Sequence, residues 1–596
     1  MTADIPHQYG PWNPGLESEL PRKFLPLSTV FSPSNVSTDI EELSEYRELC
    51  GLPIERMSAF RPERLALHEV LIRVMADLSV PDGDKYADLG VNFRHITATL
   101  IQKHFASIMP EIRDCFARLT HEAAVCIEGL YDRPSIQRES LPQLPERRGS
   151  WRRMFSLDHS DLGDGASKLK PHAAVDDCAR IDSWRNAESA AGNALEQVCL
   201  RSLATAGGAI FSKHGRLLRD RSLLTGLAVR LVLNDYGSRE IGRILDRYFA
   251  EAAKREGYRL LPPQSRPIVM NVKGASAAGK STMRPLQKEL AQRLGVDWAD
   301  FALISPDIWR KYLLDYDSLG SARRYAGTLT ALEIEIIDKK LDRYMAQKAK
   351  AGRMSHLLID RFRFDSFADE ADDDEGGGLL TRFGDEIYMF FMITPPEATV
   401  ERAWHRGEKV GRYKAVEDLL AHNVEAYNGI PGLFFTWALN GKKKVHYEFL
   451  DNSVPQGQLP RTVAFGMNGQ INVLDVGCLL NIDRFRSINI AAKSEAAVYQ
   501  PRMQATSSEV FLLQLIRRLP QVNFADWRTG EVYARTESGN TVFCRRRFLE
   551  AAGPETNARL VLGDLLSPLP VECPPETRLE VLATDPRSTL GRWCSI

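Results

Sequence analysis

The sequence has no CxxC pair: its nine cysteines, at positions 50, 115, 126, 178, 199, 478, 544, 573 and 594, are scattered. That spacing excludes a thiolate zinc site and a disulfide framework, and leaves reduced, mostly buried thiols. No run of ~18 apolar residues is present, so no membrane span is expected. The opening residues MTADIPHQYGPWNPG lack the basic and apolar regions of a Sec signal. Net charge is lacking too, since 77 Lys+Arg against 78 Asp+Glu leave -1. A chain with no global positive field does not advertise nucleic acid or anionic membrane as its main partner. Internal repeats are also missing.

What remains is 596 residues, 44% hydrophobic and 26% charged, the composition of a soluble protein with several packed domains. Residues 1–55 carry Pro6, Pro11, Pro14, Pro21, Pro26 and Pro33 and read as an extended leader. Residues 56–140 read as helical. Within them Ile101, Phe105, Ile108, Met109, Ile112, Cys115, Phe116 and Leu119 recur at steps of three and four, and Pro110 interrupts or restarts the helix. Residues 141–176 are polar and dotted with Pro and Gly, as in a connector. Residues 177–260 form a second helical block, ending with Ile241, Ile244, Leu245, Tyr248 and Phe249 on one face.

From 261 to 460 short apolar runs alternate with helices, the pattern of an α/β domain with a parallel sheet. Five strands are predicted, at 268–272, 302–305, 356–360, 387–393 and 445–450. Residues 461–596 read as a small α+β region. It has a type I′ turn at Asn468-Gly469 and a second hairpin around Glu537-Ser538-Gly539-Asn540, with strands at 531–536 and 541–547.

The most informative segment runs from the first predicted strand into Gly274-Ala275-Ser276-Ala277-Ala278-Gly279-Lys280-Ser281-Thr282, a GxxxxGK[ST] loop. Chance alone yields this pattern about 0.02 times in a chain of this length. Gly274 and Gly279 permit the backbone to wrap its N–H groups around phosphate. Lys280 reaches the β/γ oxygens, and the Ser281 hydroxyl suits Mg²⁺. Met283, Leu286, Leu290 and Leu294 give the next helix an apolar stripe, with Pro285 oddly early in it. The loop implies ATP or another nucleoside triphosphate; the guanine-reading NKxD of GTPases is not found.

Phosphoryl transfer to a hydroxyl needs an acceptor-side carboxylate, a metal site against the phosphates, and arginines that neutralise spreading charge. Asp307, in FALISPDIWR, follows the second strand and can serve as base; its plainer role is a helix cap. Asp360 ends the third strand, where a carboxylate orients Mg²⁺ or its water. Arg361, Arg363 and Asp365 could place a substrate, although a solvent-facing loop is the simpler reading. Six acids between 369 and 375 run into three glycines and read as an insertion rather than a metal cage. Thr394-Pro395-Pro396-Glu397 reads as a helix start with Thr394 as N-cap. That helix carries Arg402 and Arg406. Arg412 follows Gly407 and Gly411 in a segment able to close over a triphosphate. Asp451-Asn452 could contact base or ribose, or form a plain turn.

The succession GASAAGKS, ISPD, LLIDRFRFDSF and TPPEATVERAWHRGEKVGR resembles the zeta-toxin and polynucleotide-kinase class of P-loop kinases, and within it the AvrRxo-type bacterial effectors. The likeness covers residues 261–452. It implies ATP bound by residues 274–282, with Mg²⁺ at Ser281 and Asp360. It makes Asp307 the base and Arg402, Arg406 and Arg412 the lid. The implied acceptor is a nucleotide-type small molecule, with the 3′-hydroxyl of NAD's adenosine ribose favoured over a UDP-amino sugar. The resemblance also implies a cognate antitoxin or chaperone, and a bacterial cytoplasmic protein exported by a type III apparatus into a host. A polynucleotide 5′-hydroxyl kinase and an ATP-gated interaction module remain alternatives.

Overall fold

The computed structural model describes residues 9–85, 87–133, 171–217, 220–361, 380–455, 457–499, 511–545, 562, 566 and 589–593. Arg363, Asp365, the acidic run at 369–375 and most of the expected connector lie outside them. The chain forms two compact units, Met1–Ser32, Leu67–Ser107 and Leu245–Ile596 in one, Pro33–Ala66 and Ile108–Ile244 in the other.

The second unit is helical. Its first helix, Ile40–Cys50, corrects the expectation of an extended leader through residue 55. Asp39 accepts from the Glu42 N–H at 2.7 Å, and Gly51 closes the other end at φ 70°. The segment expected to be extended therefore carries its own helix caps, Asp39 and Gly51. Helices Ala194–His214 and Arg221–Val232 bury Leu203, Ile210, Leu224 and Leu227. In the helix Met109–Asp132, Pro110 sits in the first turn, where a missing N–H costs nothing. Proline restarts the helix here.

The other unit is α/β, built on one ten-stranded mixed sheet. Its strands are β1 (Ile268–Lys273), β2 (Phe301–Ile304), β3 (His356–Ile359), β4 (Glu386–Ile393), β5 (Lys444–Asp451), β6 (Arg461–Met467), β7 (Gln470–Val473), β8 (Gln521–Ala525), β9 (Val532–Glu537) and β10 (Asn540–Cys544). Their order is β10-β9-β8-β7-β6-β5-β4-β1-β3-β2. The five strands from β5 to β2 are mutually parallel. The expected five-stranded sheet is thus half of a larger one. β6 adds antiparallel to β5, so the strands expected in a separate C-terminal α+β region extend the same sheet. The β6–β7 hairpin turns at Asn468 and Gly469, φ 39° and 84°, the double left-handed geometry of a type I′ turn.

β4 reads EIYMFFMI and is buried from Ile387 onward, as a strand covered on both faces must be. Phe391 and Phe449, on neighbouring strands, stack 4.8 Å apart; Phe434 packs edgewise against Phe391, and Phe434 and Phe511 lie tilted against Phe449. Each such ring contributes about 1.5–3 kcal/mol through burial. This aromatic layer fixes β4 against β5, which sets where their carboxyl ends lie.

Candidate functional site

All five parallel strands end at one edge. Beyond β1 comes Gly274, beyond β2 Ser305, beyond β3 Asp360, beyond β4 Thr394 and beyond β5 Asn452. β1 lies between β3 and β4, at the point where the chain passes from one side of the sheet to the other. A crevice outside such a switch point is where open parallel sheets bind ligands.

The loop from Gly274 to Ser281 is folded tightly on its own scaffold. A Cβ at Gly274 would stand 2.9 Å from the Met392 Cβ, so the loop can leave β1 only with glycine there. Gly279 takes φ 100°, and a Cβ there would meet the Asn452 Nδ2 at 2.3 Å. Three side chains converge on one loop carbonyl: Asn452 Nδ2 donates to Ala278 O at 2.7 Å, Thr394 Oγ1 at 3.0 Å and Arg402 at 3.4 Å. Lys280 Nζ donates to the carbonyls of Gly274 and Ala275 at 3.1 and 2.9 Å. After a short 3₁₀ turn, Lys280–Met283, the helix Arg284–Arg293 begins afresh, so Pro285 lies at its start and disturbs nothing.

Two carboxylates face this loop. Asp360 accepts from the Ser281 hydroxyl at 2.5 Å, and its own N–H is held by Ile304 O at 2.9 Å. Asp307 lies in the 3₁₀ turn Pro306–Trp309 after β2. Its carboxylate accepts from Arg310 Nε at 2.9 Å and from Arg412, not from the backbone of the turn, so it is no helix cap. Partial burial pulls its proton affinity up, but Arg412, Arg310 and Arg406 outweigh that and hold the carboxyl far below the usual range. The Lys280 ammonium is lowered by burial and by the nearness of Arg406 and Arg412, against the pull of Asp360 and Asp307. Those four side chains and Lys280 therefore share one electrostatic neighbourhood.

Several expected roles change. Thr394 does not cap the helix Pro396–Val410, whose N-cap is Pro395. Its hydroxyl donates to the Ala278 carbonyl and so holds the Gly274–Ser281 loop instead. Arg402 donates to Asn452 O at 2.6 Å and to Val454 O at 3.3 Å, so it ties the loop to the end of β5 and is a strut rather than a mobile lid. Arg406 and Arg412 do come to the site. Gly407 and Gly411 are not hinges: a Cβ on Gly407 would press on the Tyr413 ring at 2.2 Å, and Gly411, at φ 76°, is the C-cap that turns Arg412 inward. Arg361 is buried, bonded to Asp342 at 2.6 Å and paired with Asp338, both on the helix Ala331–Lys350. It anchors the chain just beyond the carboxyl end of β3, with its charge committed to those two carboxylates. Asp451 is buried, with one oxygen accepting from Arg461 at 2.6 Å and the other from the Ser453 N–H at 2.8 Å, so its carboxylate is committed within the protein.

The sequence reading missed Lys414 and His422. Lys414 Nζ lies 2.7 Å from His422 Nδ1, two residues beyond Arg412. No motif marks them; a basic residue in the loop after Gly411 and a histidine nearly two turns into the helix Val416–Ala438 was the only trace.

The oxygen pair Ser281–Asp360 suits Mg²⁺, which takes few protein ligands and keeps its waters and phosphate oxygens. Among the described residues, no group of three or more His, Cys, Asp or Glu side chains is placed to hold a metal, and no helix is long and apolar enough to cross a membrane. Compared with protein-family models, curated proteins and solved structures, the chain matches none.

Proposed function

We propose that the protein is an ATP-dependent kinase that transfers the γ-phosphoryl group to a hydroxyl of a nucleotide-type small molecule. The observation that carries this reading is the placement of Ser281 on Asp360 and of Asp307 on Arg412 around Lys280, at the shared edge of five parallel strands. A loop that only gated an interaction would need the first pair but not an acceptor-side carboxylate held by an arginine.

In this reading the backbone N–H groups of residues 274–282 hold the triphosphate, and Lys280 leaves the loop carbonyls to pair with β/γ oxygens. Ser281 and Asp360 would hold Mg²⁺, which neutralises charge on those oxygens when bound. The acceptor oxygen forms its bond to the γ-phosphorus as the bond to the β,γ-bridging oxygen breaks, and ADP leaves with that electron pair. Asp307 accepts a hydrogen bond from the acceptor hydroxyl, orients it in line, and takes its proton late. A strongly depressed carboxyl suits this task, because a loose transition state does not require the nucleophile to be deprotonated early. Arg406 and Arg412 sit where charge spreads over the transferring group.

The likeness of GASAAGKS, ISPD and DRFRFDSF to the AvrRxo-type effectors favours NAD as acceptor, with a UDP-amino sugar or an oligonucleotide end behind it. The test is mass spectrometry of metabolites incubated with the protein, ATP and Mg²⁺, looking for the gain of one phosphoryl group. Lys280→Ala is expected to abolish transfer; wild-type rates in that variant, with the fold intact, would overturn the kinase reading. NAD left unmodified beside a phosphorylated UDP-sugar would overturn the acceptor and leave the kinase.

A further inference from the structure

Lys414 stands apart from the other cations of the site. It lies in the loop between helices Pro396–Val410 and Val416–Ala438, and its ammonium sits 2.7 Å from an imidazole nitrogen of His422. It makes no ion pair with a carboxylate among the described residues. The charged groups around it are Arg406 on the first helix, Arg412 in the same loop, Arg310 after β2, and Asp418 in the first turn of the second helix. His422 in turn feels Lys280 and Asp307. Lys414 is therefore part of the cluster that contains Lys280, Arg406, Arg412 and Asp307, and it was assigned no role above.

We propose that Lys414, oriented by His422, is a further polyphosphate-contacting residue of this site, and that it takes up a proton when the polyphosphate binds. The proposal rests on the kinase reading and adds a residue to it.

The choice of partner supports this. A carboxylate beside Lys414 would neutralise it permanently and compete with phosphate for its hydrogen bonds. A neutral imidazole, with one ring nitrogen 2.7 Å and the other 3.0 Å from the ammonium, holds the ammonium in place and leaves its charge available. Burial, together with three arginines nearby, makes that charge costly until a ligand's negative charge enters the cluster. Burial, with Arg406, Arg412 and Arg310, brings Lys414 down to about 7 despite Asp418, and burial, with Lys414 and Lys280, brings His422 down to about 3 despite Asp307. His422 is thus uncharged at neutral pH, and Lys414 is the group poised to change. A triphosphate carries negative charge into the cluster, which favours the protonated lysine again. A proton bound on ligand entry makes affinity fall as pH rises through the free-protein value.

The test is calorimetric titration of the full chain with MgATP, without acceptor, in buffers of different ionisation enthalpy. With a free-protein value of about 7, the protons taken up per ATP should rise from ~0.1 at pH 6 to ~0.8 at pH 7.5–8. Lys414→Arg, which keeps the cation but cannot release a proton, should bind ATP and lose most of the uptake. Lys414→Met should bind on the order of 100-fold more weakly at pH 6, the weakening that an uptake of ~0.8 requires, and come within about threefold of wild type by pH 9. Uptake unchanged in Lys414→Arg, or pH-independent weakening in Lys414→Met, would overturn the proposal while leaving the kinase reading in place. A wild-type protein that does not bind MgATP would overturn both.

Discussion

Replacing Asp307 by Asn separates chemistry from architecture, because the structure gives different magnitudes to the two. The side chain is 45% exposed and bonded to Arg310 and Arg412. Exposed pairs of this kind are screened and contribute about 0–1 kcal/mol each, and Asn keeps one acceptor oxygen, so a stability loss of about 1 kcal/mol is expected. If Asp307 orients and deprotonates the acceptor, turnover should fall by roughly 10²- to 10⁴-fold, or about 3–5 kcal/mol in barrier. Because the arginines depress the carboxyl, it stays ionised above the ordinary aspartate range, and the stability it contributes is lost only as pH falls through that lowered value. The ratio of wild-type to variant turnover should therefore be flat between about pH 6 and 9. ATP affinity, melting temperature and turnover measured on this one variant decide the matter. Turnover within about threefold of wild type, with intact ATP binding, would remove Asp307 from the mechanism.

Asn452→Ala takes one of three donors from the Ala278 carbonyl; ATP affinity should fall about fivefold to tenfold, the worth of about 1 kcal/mol, with turnover at saturation changed less, as titration calorimetry and steady-state kinetics would show. Arg361→Met takes a guanidinium away from the buried Asp338 and Asp342; urea unfolding should register a loss of about 3–5 kcal/mol, largely recovered if both aspartates are also made Leu. Glu448, buried in β5, accepts from the Leu590 and Gly591 N–H groups at 2.7 and 3.0 Å, and burial raises it to about 7 despite those bonds, Thr462 and Arg293. The stability of that contact is full below the ordinary glutamate range and lost as pH rises through about 7, so amide exchange protection at Leu590 and Gly591 should drop between pH 5 and 8, and Glu448→Gln should remove the drop.

The five parallel strands were legible because buried strands between helices read as short apolar runs, and β1 leads directly into a glycine-bounded loop. Both hairpin turns were legible for a local reason as well, since Asn468-Gly469 and Ser538-Gly539 supply the positive φ values their turns require. The continuation of the sheet through β6 was not, because pairing β5 with β6 depends on which edge is open, a tertiary fact with no periodicity of its own. Arg361 shows how a site can be misread from strand ends. A charged residue beside Asp360 invites a substrate role. Asp338 and Asp342, one helical turn apart on a face otherwise occupied by Ile334, Ile337 and Leu341, were the signal that a buried cation must exist to meet them. The residues around the phosphate loop obey the same logic from the opposite side. Ala278 O draws Asn452, Thr394 and Arg402 from β5, β4 and the helix after β4, three segments far apart in sequence. A carbonyl has no identity in the sequence, so nothing there could say that these three side chains would converge. In the proposed function their convergence matters because it would fix the loop's amide groups ahead of the triphosphate and so lower the ordering cost of binding. In the proposed function, Arg406, Arg412 and Lys414, and Lys280 once it leaves the loop carbonyls, respond to the ligand's charge.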